Sequence, residues 1–219
     1  LPRVRQRPHV RASYISEVAF NELLRSLGAS GTEANERLSV LYTIAFRAGL
    51  RLSEVIKLRL KDIERSNERW IYIRDTQLDD GKSDSATRKI PLGVLLTDQE
   101  QQRLDAYLAP LWGRMQKHAN ALVFASADGV LIPLKVDEVT EPLTSRLFQL
   151  TGQKYTFHHL RHSALSRLQL VLHHQVLGLH QLPGWQHFLP WTEDQCARIY
   201  RTITQISTTQ SDYWALAQL

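Results

Sequence analysis

The sequence has little cysteine and no long apolar run. Cys196 is the single cysteine among 219 residues, so a disulfide framework within the chain is excluded and a reducing, cytoplasmic setting is expected. Apolar runs such as residues 121–125 are far shorter than the ~20 residues that a membrane-spanning helix needs. The basic start, residues 1–7, is not followed by an apolar stretch, so no secretory signal is expected.

Acidic residues are outnumbered by basic ones. The chain has 27 lysines and arginines against 22 aspartates and glutamates, which gives a formal net charge of +5 and a pI of about 9.5. Such a balance favours an anionic partner such as a nucleic acid, although a solvated basic surface without a partner has the same charge. Charge alone therefore leaves the function open.

Two helices joined by a tight turn are predicted near the start of the chain. Residues 34–48 carry apolar side chains at helical spacing, and Gly49, which ends this helix, suits a left-handed conformation. A second helix is expected from about Ser53 as its N-cap, which leaves Arg51 in the turn. Residues 1–12 are basic and irregular, and we expect them to be the end of a linker from an upstream domain.

A small antiparallel sheet is predicted in the middle of the chain. Residues 70–73 are aromatic and β-branched, and residues 88–92 are their expected partner strand. Residues 79–85, between the two, are turn-forming and predict an exposed loop. A further short strand is expected at residues 123–124.

The rest of the chain is predicted to be largely helical. Thr97 and Glu100 have the spacing of a capping box, and amphipathic helices are expected over residues 137–150 and from Phe157 onward. Residues 173–206 have less regular spacing. The predicted fold is therefore mainly α with a small antiparallel β-sheet, an α+β class.

Three segments carry the candidate chemistry. Residues 48–55 contain Arg51 after a glycine, residues 82–92 span the predicted hairpin, and residues 157–163 contain an H-x-x-R pattern on a helix. In their order and in the elements that hold them, these segments resemble the catalytic domain of the tyrosine recombinases, the phage integrase family. The resemblance covers roughly residues 35–172.

The resemblance implies a site for a DNA phosphate. When a DNA strand is broken by attack on phosphorus, negative charge spreads over the non-bridging oxygens, and guanidinium groups bind such oxygens bidentately at any working pH. By resemblance, Arg51 and Arg161 are that pair. Glu54, one helical turn after Arg51, is the supporting residue that holds its guanidinium.

The resemblance also assigns the proton transfers. Lys82, in the hairpin loop, is expected to protonate the leaving 5′ oxygen, and His158 is expected to assist proton transfer at the attacking oxygen or to donate to the phosphate. His158 and His162 have the i, i+4 spacing of a metal pair, but the glutamate of an H-E-x-x-H motif and an evident third ligand are missing from the sequence. We therefore expect no metal and no other cofactor.

The nucleophilic tyrosine is the part of the pattern that does not match. One interpretation takes Tyr200 as the nucleophile and Trp185 as part of the preceding family box, which requires an insertion between them. The other treats residues 173–206 as an inserted segment of a catalytic domain that starts at residue 13, with the tyrosine beyond residue 219. The second interpretation is favoured, and Tyr200 and Trp185 are then packing residues.

The resemblance implies a site-specific DNA recombinase that cuts and rejoins double-stranded DNA through a 3′-phosphotyrosine. The expected full-length enzyme is a tetramer on paired sites, without a membrane, in the bacterial cytoplasm or nucleoid. Two alternatives remain open: a catalytically inactive DNA-binding protein of the same fold, and a type IB topoisomerase, which shares this chemistry.

Overall fold

Helix α2 (Glu33–Ala48) lies at the centre of the fold. Every residue from Leu38 to Ala48 is buried, because other helices cover this part of α2 on all sides. The helix ends where Gly49 takes a left-handed conformation with φ 67°, which most side chains disfavour. Both features confirm the helix and the stop predicted from the sequence.

The computed structural model describes residues 14–66, 68–73, 88–177 and 189–207. Within these ranges, no helix has both the length and the apolar character needed to cross a membrane. The elements besides α2 are, in chain order, α1 (Glu17–Gly28), α3 (Leu52–Ile56), β1 (Trp70–Ile73), β2 (Arg88–Pro91), α4 (Leu92–Leu95), α5 (Asp98–Leu108), α6 (Trp112–Lys117), β3 (Ala125–Ser126), β4 (Gly129–Pro133), α7 (Val136–Thr151), α8 (Phe157–Leu177) and α9 (Glu193–Ser207).

The predicted antiparallel sheet is confirmed. Strands β1 and β2 pair with Ile71 opposite Ile90 and Ile73 opposite Arg88. The side chains alternate, so that Ile71 and Ile73 are buried while Trp70 and Tyr72 are half-buried. The mainly helical fold with small antiparallel sheets is therefore the one that the pattern of the sequence indicated.

The strand expected at residues 123–124 was placed two residues too early. Strand β3 occupies Ala125–Ser126 and pairs with β4. The amide of Val123 is used elsewhere, because it donates to the Leu58 carbonyl at 2.9 Å. This bond joins Val123 to a residue far away in the chain, so the alternation of apolar side chains within residues 121–125 does not predict it.

The second helix begins earlier than predicted. Arg51, not Ser53, is the N-cap of α3. The reason is Glu54, whose carboxylate accepts a hydrogen bond from the Arg51 backbone N–H at 2.7 Å. This bond caps the helix at Arg51, so that Leu52 is its first residue. Arg51 therefore lies at the N-terminus of a helix and not in the preceding turn.

Helices α8 and α9 extend into the segment that was expected to be irregular. The prediction of an irregular stretch over residues 173–206 is wrong at both ends, because α8 continues to Leu177 and α9 starts at Glu193. Thr192 and Gln195 form a reciprocal capping pair at the start of α9. Cys196, Ile199 and Ile203 then face the core at helical spacing.

A buried ion-pair network joins four helices. Arg47 of α2 is 2% exposed and binds Glu17 of α1 at 2.6 Å and Glu100 of α5 at 2.8 Å. Arg167 of α8 is fully buried, pairs with Glu17 at 3.1 Å and stacks on Phe46, with its guanidinium carbon 3.6 Å from the ring centroid. Two arginines and two glutamates balance in charge, so burial is compatible with all four being ionised.

The left-handed turn at Gly49 gives a testable prediction for stability. Gly49→Ala is expected to lower the free energy of unfolding by about 1–2 kcal/mol, because an L side chain is strained at this φ. Gly28→Ala is the control: it lies at the end of α1 without a positive φ and with no atom within 4 Å of an added Cβ. The control is expected to raise the unfolding free energy by about 0.4–1 kcal/mol. Denaturant unfolding of both variants checks the opposite signs, and a neutral Gly49→Ala would contradict the argument.

Candidate active site

Arg51 and Glu54 form one unit at the start of α3. Besides the backbone bond that caps the helix, Arg51 Nη1 donates to Glu54 Oε1 at 3.0 Å. The Arg51 side chain is 52% exposed, whereas that of Glu54 is 12% exposed. The carboxylate of Glu54 thus binds an arginine whose side chain faces solvent.

A second arginine, Arg88, binds the same carboxylate and was not predicted as a site residue. Arg88 is the first residue of β2, and it donates Nη1 to Glu54 Oε1 at 2.9 Å and Nη2 to Oε2 at 2.7 Å. Its side chain is 4% exposed. The sequence signal was present, because a strand position that faces the core rarely holds an arginine without a buried acid to pair with.

Arg161 reaches the turn that carries Arg51. It lies on α8 and is buried, and its Nη1 donates to the carbonyl of Gly49. Gly49 packs closely against α8, since an added Cβ would lie 3.4 Å from Ala164 Cβ and 3.9 Å from Arg161 Cγ. The left-handed glycine therefore brings two segments, 112 residues apart at their contact, to one place.

His158 lies on the same side of α8 as Arg161 and is exposed. Partial burial of its ring, and then the positive charges of nearby groups, lower its pKa below the usual value; these groups are His162, Arg161, His159 and Arg51, in decreasing order of effect. Arg51 and Arg161 are both among these groups, and Arg161 lies one helical turn after His158 on α8. The neutral form of His158 is favoured there, as a proton acceptor requires.

His158 and His162 also contact each other directly. Their ring centroids are 4.4 Å apart and the rings are nearly perpendicular. Among the described residues, no third histidine, cysteine or acid completes a group that could hold a metal ion. The pair contributes aromatic packing and polarity at the edge of the site.

Of the remaining predicted site residues, only Tyr200 lies within the described part of the chain. Lys82 and Trp185 lie outside the described residues. Tyr200, on α9, is half-buried and packs against the hydrophobic core. The described part of the site therefore consists of Arg51, Glu54, Arg161 and His158, joined by Arg88. Together these groups offer guanidinium donors and an imidazole to an anion such as a phosphate.

The sequence and the fold of this chain are similar to those of proteins described as recombinases. The tyrosine recombinase XerS of Streptococcus equi subsp. zooepidemicus (strain H70) is 26% identical over 170 residues, which cover 77% of this chain and 44% of that protein. The structure of XerA recombinase has a TM-score of 0.54 at 19% identity, covering 90% of this chain and 65% of that one. XerH site-specific recombinase, bound to its difH substrate before cleavage, has a TM-score of 0.53 at 18% identity, covering 84% and 52%.

These likenesses confirm the expected fold, that of a tyrosine recombinase catalytic domain. The chain spans less than two thirds of each of these relatives. The family model for the phage integrase family matches residues 16–205, which includes the described segments with Arg51, Glu54, Arg88, His158 and Arg161. The match covers most of the chain, and the protein therefore belongs to the phage integrase family.

Proposed function

We propose that the chain is the catalytic domain of a site-specific recombinase that cuts and rejoins double-stranded DNA through a 3′-phosphotyrosine intermediate. The observation that carries the proposal is the hydrogen bond from Arg161 to the carbonyl of Gly49, in the turn that precedes Arg51, with the exposed His158 on the same side of α8 as Arg161. A structural relative described as a site-specific recombinase bound to its substrate supports the same function. Rejoining then needs no nucleotide cofactor, since the phosphotyrosine conserves the energy of the broken bond.

The two arginines stabilise the charge that develops on the attacked phosphate. Arg161 is buried and fixed through the Gly49 carbonyl, and Arg51 is fixed through Glu54, so both guanidiniums are held before the DNA arrives. In many enzymes, charge that is already in place when the transition state forms contributes more to catalysis than any other effect. Arg51 and Arg161 are thus the phosphate-binding pair, and Glu54 is a supporting residue.

Two further groups handle protons. His158, whose pKa is lowered by its surroundings, accepts the proton of the attacking hydroxyl or donates to the phosphate. Lys82 protonates the leaving 5′ oxygen from the hairpin between β1 and β2; this role rests on its position in the sequence motif.

The domain assignment is part of the proposal. We take residues 1–12 as the linker from an upstream DNA-binding domain and residues 13–219 as the catalytic domain. The first described contacts support this boundary: the Ile15 N–H donates to Ser163 Oγ at 2.9 Å, and the Tyr14 carbonyl accepts from Tyr155 at 3.3 Å. The full-length enzyme acts as a tetramer on paired DNA sites in the bacterial cytoplasm or nucleoid.

The nucleophile is a tyrosine beyond residue 219, and Tyr200 is a packing residue. The support is the position of Tyr200 on α9, where it packs against the core beside buried Ile199 and Ile203. On this proposal, residues 173–206 are an inserted segment of the catalytic domain.

A suicide substrate tests the function and the nucleophile together. A pool of nicked duplexes with randomised sequence around the nick is incubated with the 219-residue chain, with its Tyr200→Phe variant and with a version extended beyond residue 219. A covalent protein–DNA band on a denaturing gel is expected only from the extended version. A band from the 219-residue chain that disappears in Tyr200→Phe would make Tyr200 the nucleophile.

The two alternative functions predict different outcomes. An inactive DNA-binding protein gives no covalent band from any version but retains salt-sensitive DNA binding. A type IB topoisomerase forms the band on any duplex and relaxes supercoiled plasmids, whereas a site-specific recombinase selects a sequence from the pool.

A further inference from the structure

Glu54 is shared by two arginines that differ in their surroundings. Each of its carboxylate oxygens accepts one hydrogen bond from Arg51 and one from Arg88. Arg88 is 4% exposed, whereas Arg51 is 52% exposed. Arg88 therefore holds the carboxylate from the buried side, and only Arg51 can reach a ligand in solvent.

The charges of the three groups decide what Arg51 can do. With Arg88 present, the unit of two arginines and one glutamate has a net charge of +1. Without Arg88, Arg51 and Glu54 would form a neutral pair. A carboxylate that has lost a bidentate partner would turn both oxygens toward the remaining guanidinium, since parallel pairing is the favoured geometry. The guanidinium edge that faces solvent would then be occupied.

The ionisation of Glu54 agrees with this view. Its partial burial by itself raises the pKa of the carboxyl, but the hydrogen bonds and charge of Arg88, followed by those of Arg51, lower the pKa below its usual value. Glu54 is therefore a carboxylate near neutral pH, and it requires a positive partner. The partner with the larger effect is Arg88.

We propose that Arg88 is a positioning residue for Arg51. By binding both oxygens of Glu54 from the protein interior, Arg88 prevents Glu54 from neutralising Arg51, and it leaves the outer edge of the Arg51 guanidinium available to a phosphate oxygen. The inference rests on the proposed function only for identifying that phosphate as one in DNA.

Inorganic phosphate is the probe for this role, because its binding does not depend on DNA cleavage. The chain with ¹⁵N-labelled arginine is titrated with phosphate, and the Arg51 side-chain signal is followed by NMR. In Arg88→Met the affinity is expected to fall about tenfold, which corresponds to ~1.4 kcal/mol. In the double variant Arg88→Met with Glu54→Gln, the affinity is expected to be at least about threefold higher than in Arg88→Met, because no carboxylate is left to neutralise Arg51. It stays below that of the wild type, because Arg51 has lost the carboxylate that fixes it.

The recovery separates positioning from a structural role. If Arg88 only supported the fold, a second substitution at its partner would not restore phosphate binding. Arg69→Met is the matched control, since it removes an ion pair with Asp105 elsewhere in the fold, and its affinity is expected to equal that of the wild type. If thermal unfolding shows that Arg88→Met is not folded, Arg88→Lys takes its place. Lysine keeps the charge but not the two parallel donors, so an affinity between those of wild type and Arg51→Met is expected.

Three results would each overturn the proposal. The first is wild-type phosphate affinity in the folded Arg88 variants, and the second is no effect of phosphate on the Arg51 signal of the wild type. The third is a double variant that binds no better than Arg88→Met. The extended protein is assayed in parallel for covalent DNA complexes. If the extended protein forms no covalent complexes but the phosphate affinities of the variants are as expected, the recombinase function is refuted. The role of Arg88 in positioning Arg51 then still stands.

Discussion

Arg161→Ala is expected to lower the rate of covalent DNA complex formation by the extended protein about 10²–10³-fold, or ~2.7–4 kcal/mol of transition-state stabilisation. The reason is that Arg161 is held in a buried position by the Gly49 carbonyl before DNA binds. Arg161→Lys is expected to lose most of this rate as well, because a point charge does not replace the planar fork of donors. Single-turnover cleavage of the nicked substrate measures both variants.

Arg146→Ala is the matched control for Arg161→Ala. Arg146 also donates Nη1 to a backbone carbonyl, that of Ser26 at 3.0 Å, but it joins α7 to α1 instead of α8 to the Arg51 turn. Its cleavage rate is expected to stay within about threefold of the wild type, because Arg146 binds the end of α1 and does not contact the turn that carries Arg51. A cleavage rate of Arg161→Ala as high as that of the control would remove Arg161 from the proposed site.

Arg47→Met is expected to destabilise the domain strongly. The substitution leaves Glu100 without its arginine and Glu17 with Arg167 alone, in surroundings where Arg47 itself is 2% exposed. Breaking a buried pair by removing one partner costs about 3–5 kcal/mol. For a domain of this size, such a loss lowers Tm by about 6–20 °C. Thermal unfolding followed by circular dichroism gives the shift.

A surface ion pair provides the comparison for Arg47→Met. Arg25 pairs with Glu22 on α1, with side chains that are 69% and 43% exposed, so Arg25→Met is expected to cost less than about 1 kcal/mol. The double variant Arg47→Met with Glu100→Gln should be more stable than Arg47→Met alone, because it removes the unpaired buried charge. If Arg47→Met and Arg25→Met lose the same stability, the buried network is not a major contributor.

Local signals in the sequence determined the elements of this protein. The stop of α2 at Gly49 and the capping box of Thr97 and Glu100 involve residues at most four positions apart, and both were predicted correctly. The β1–β2 hairpin followed from alternation in two short segments. The capping pair of Thr192 and Gln195 carried the same kind of signal for α9 but was not used. Spacing within one element depends only on backbone geometry, which a sequence displays directly.

Only the tertiary structure decided how the elements meet. Arg51 and Arg161 were predicted from sequence motifs. Whether Arg161 reaches the turn that precedes Arg51 depends on how α8 packs against the left-handed Gly49. The acid partners of Arg88 and Arg47 could not be read from the sequence, because each binds acids at least 30 residues away, and a chain offers many possible acid partners for every arginine. Burial selects among them, because the packing of the helices determines which carboxylate lies beside an arginine such as Arg47 when the core forms.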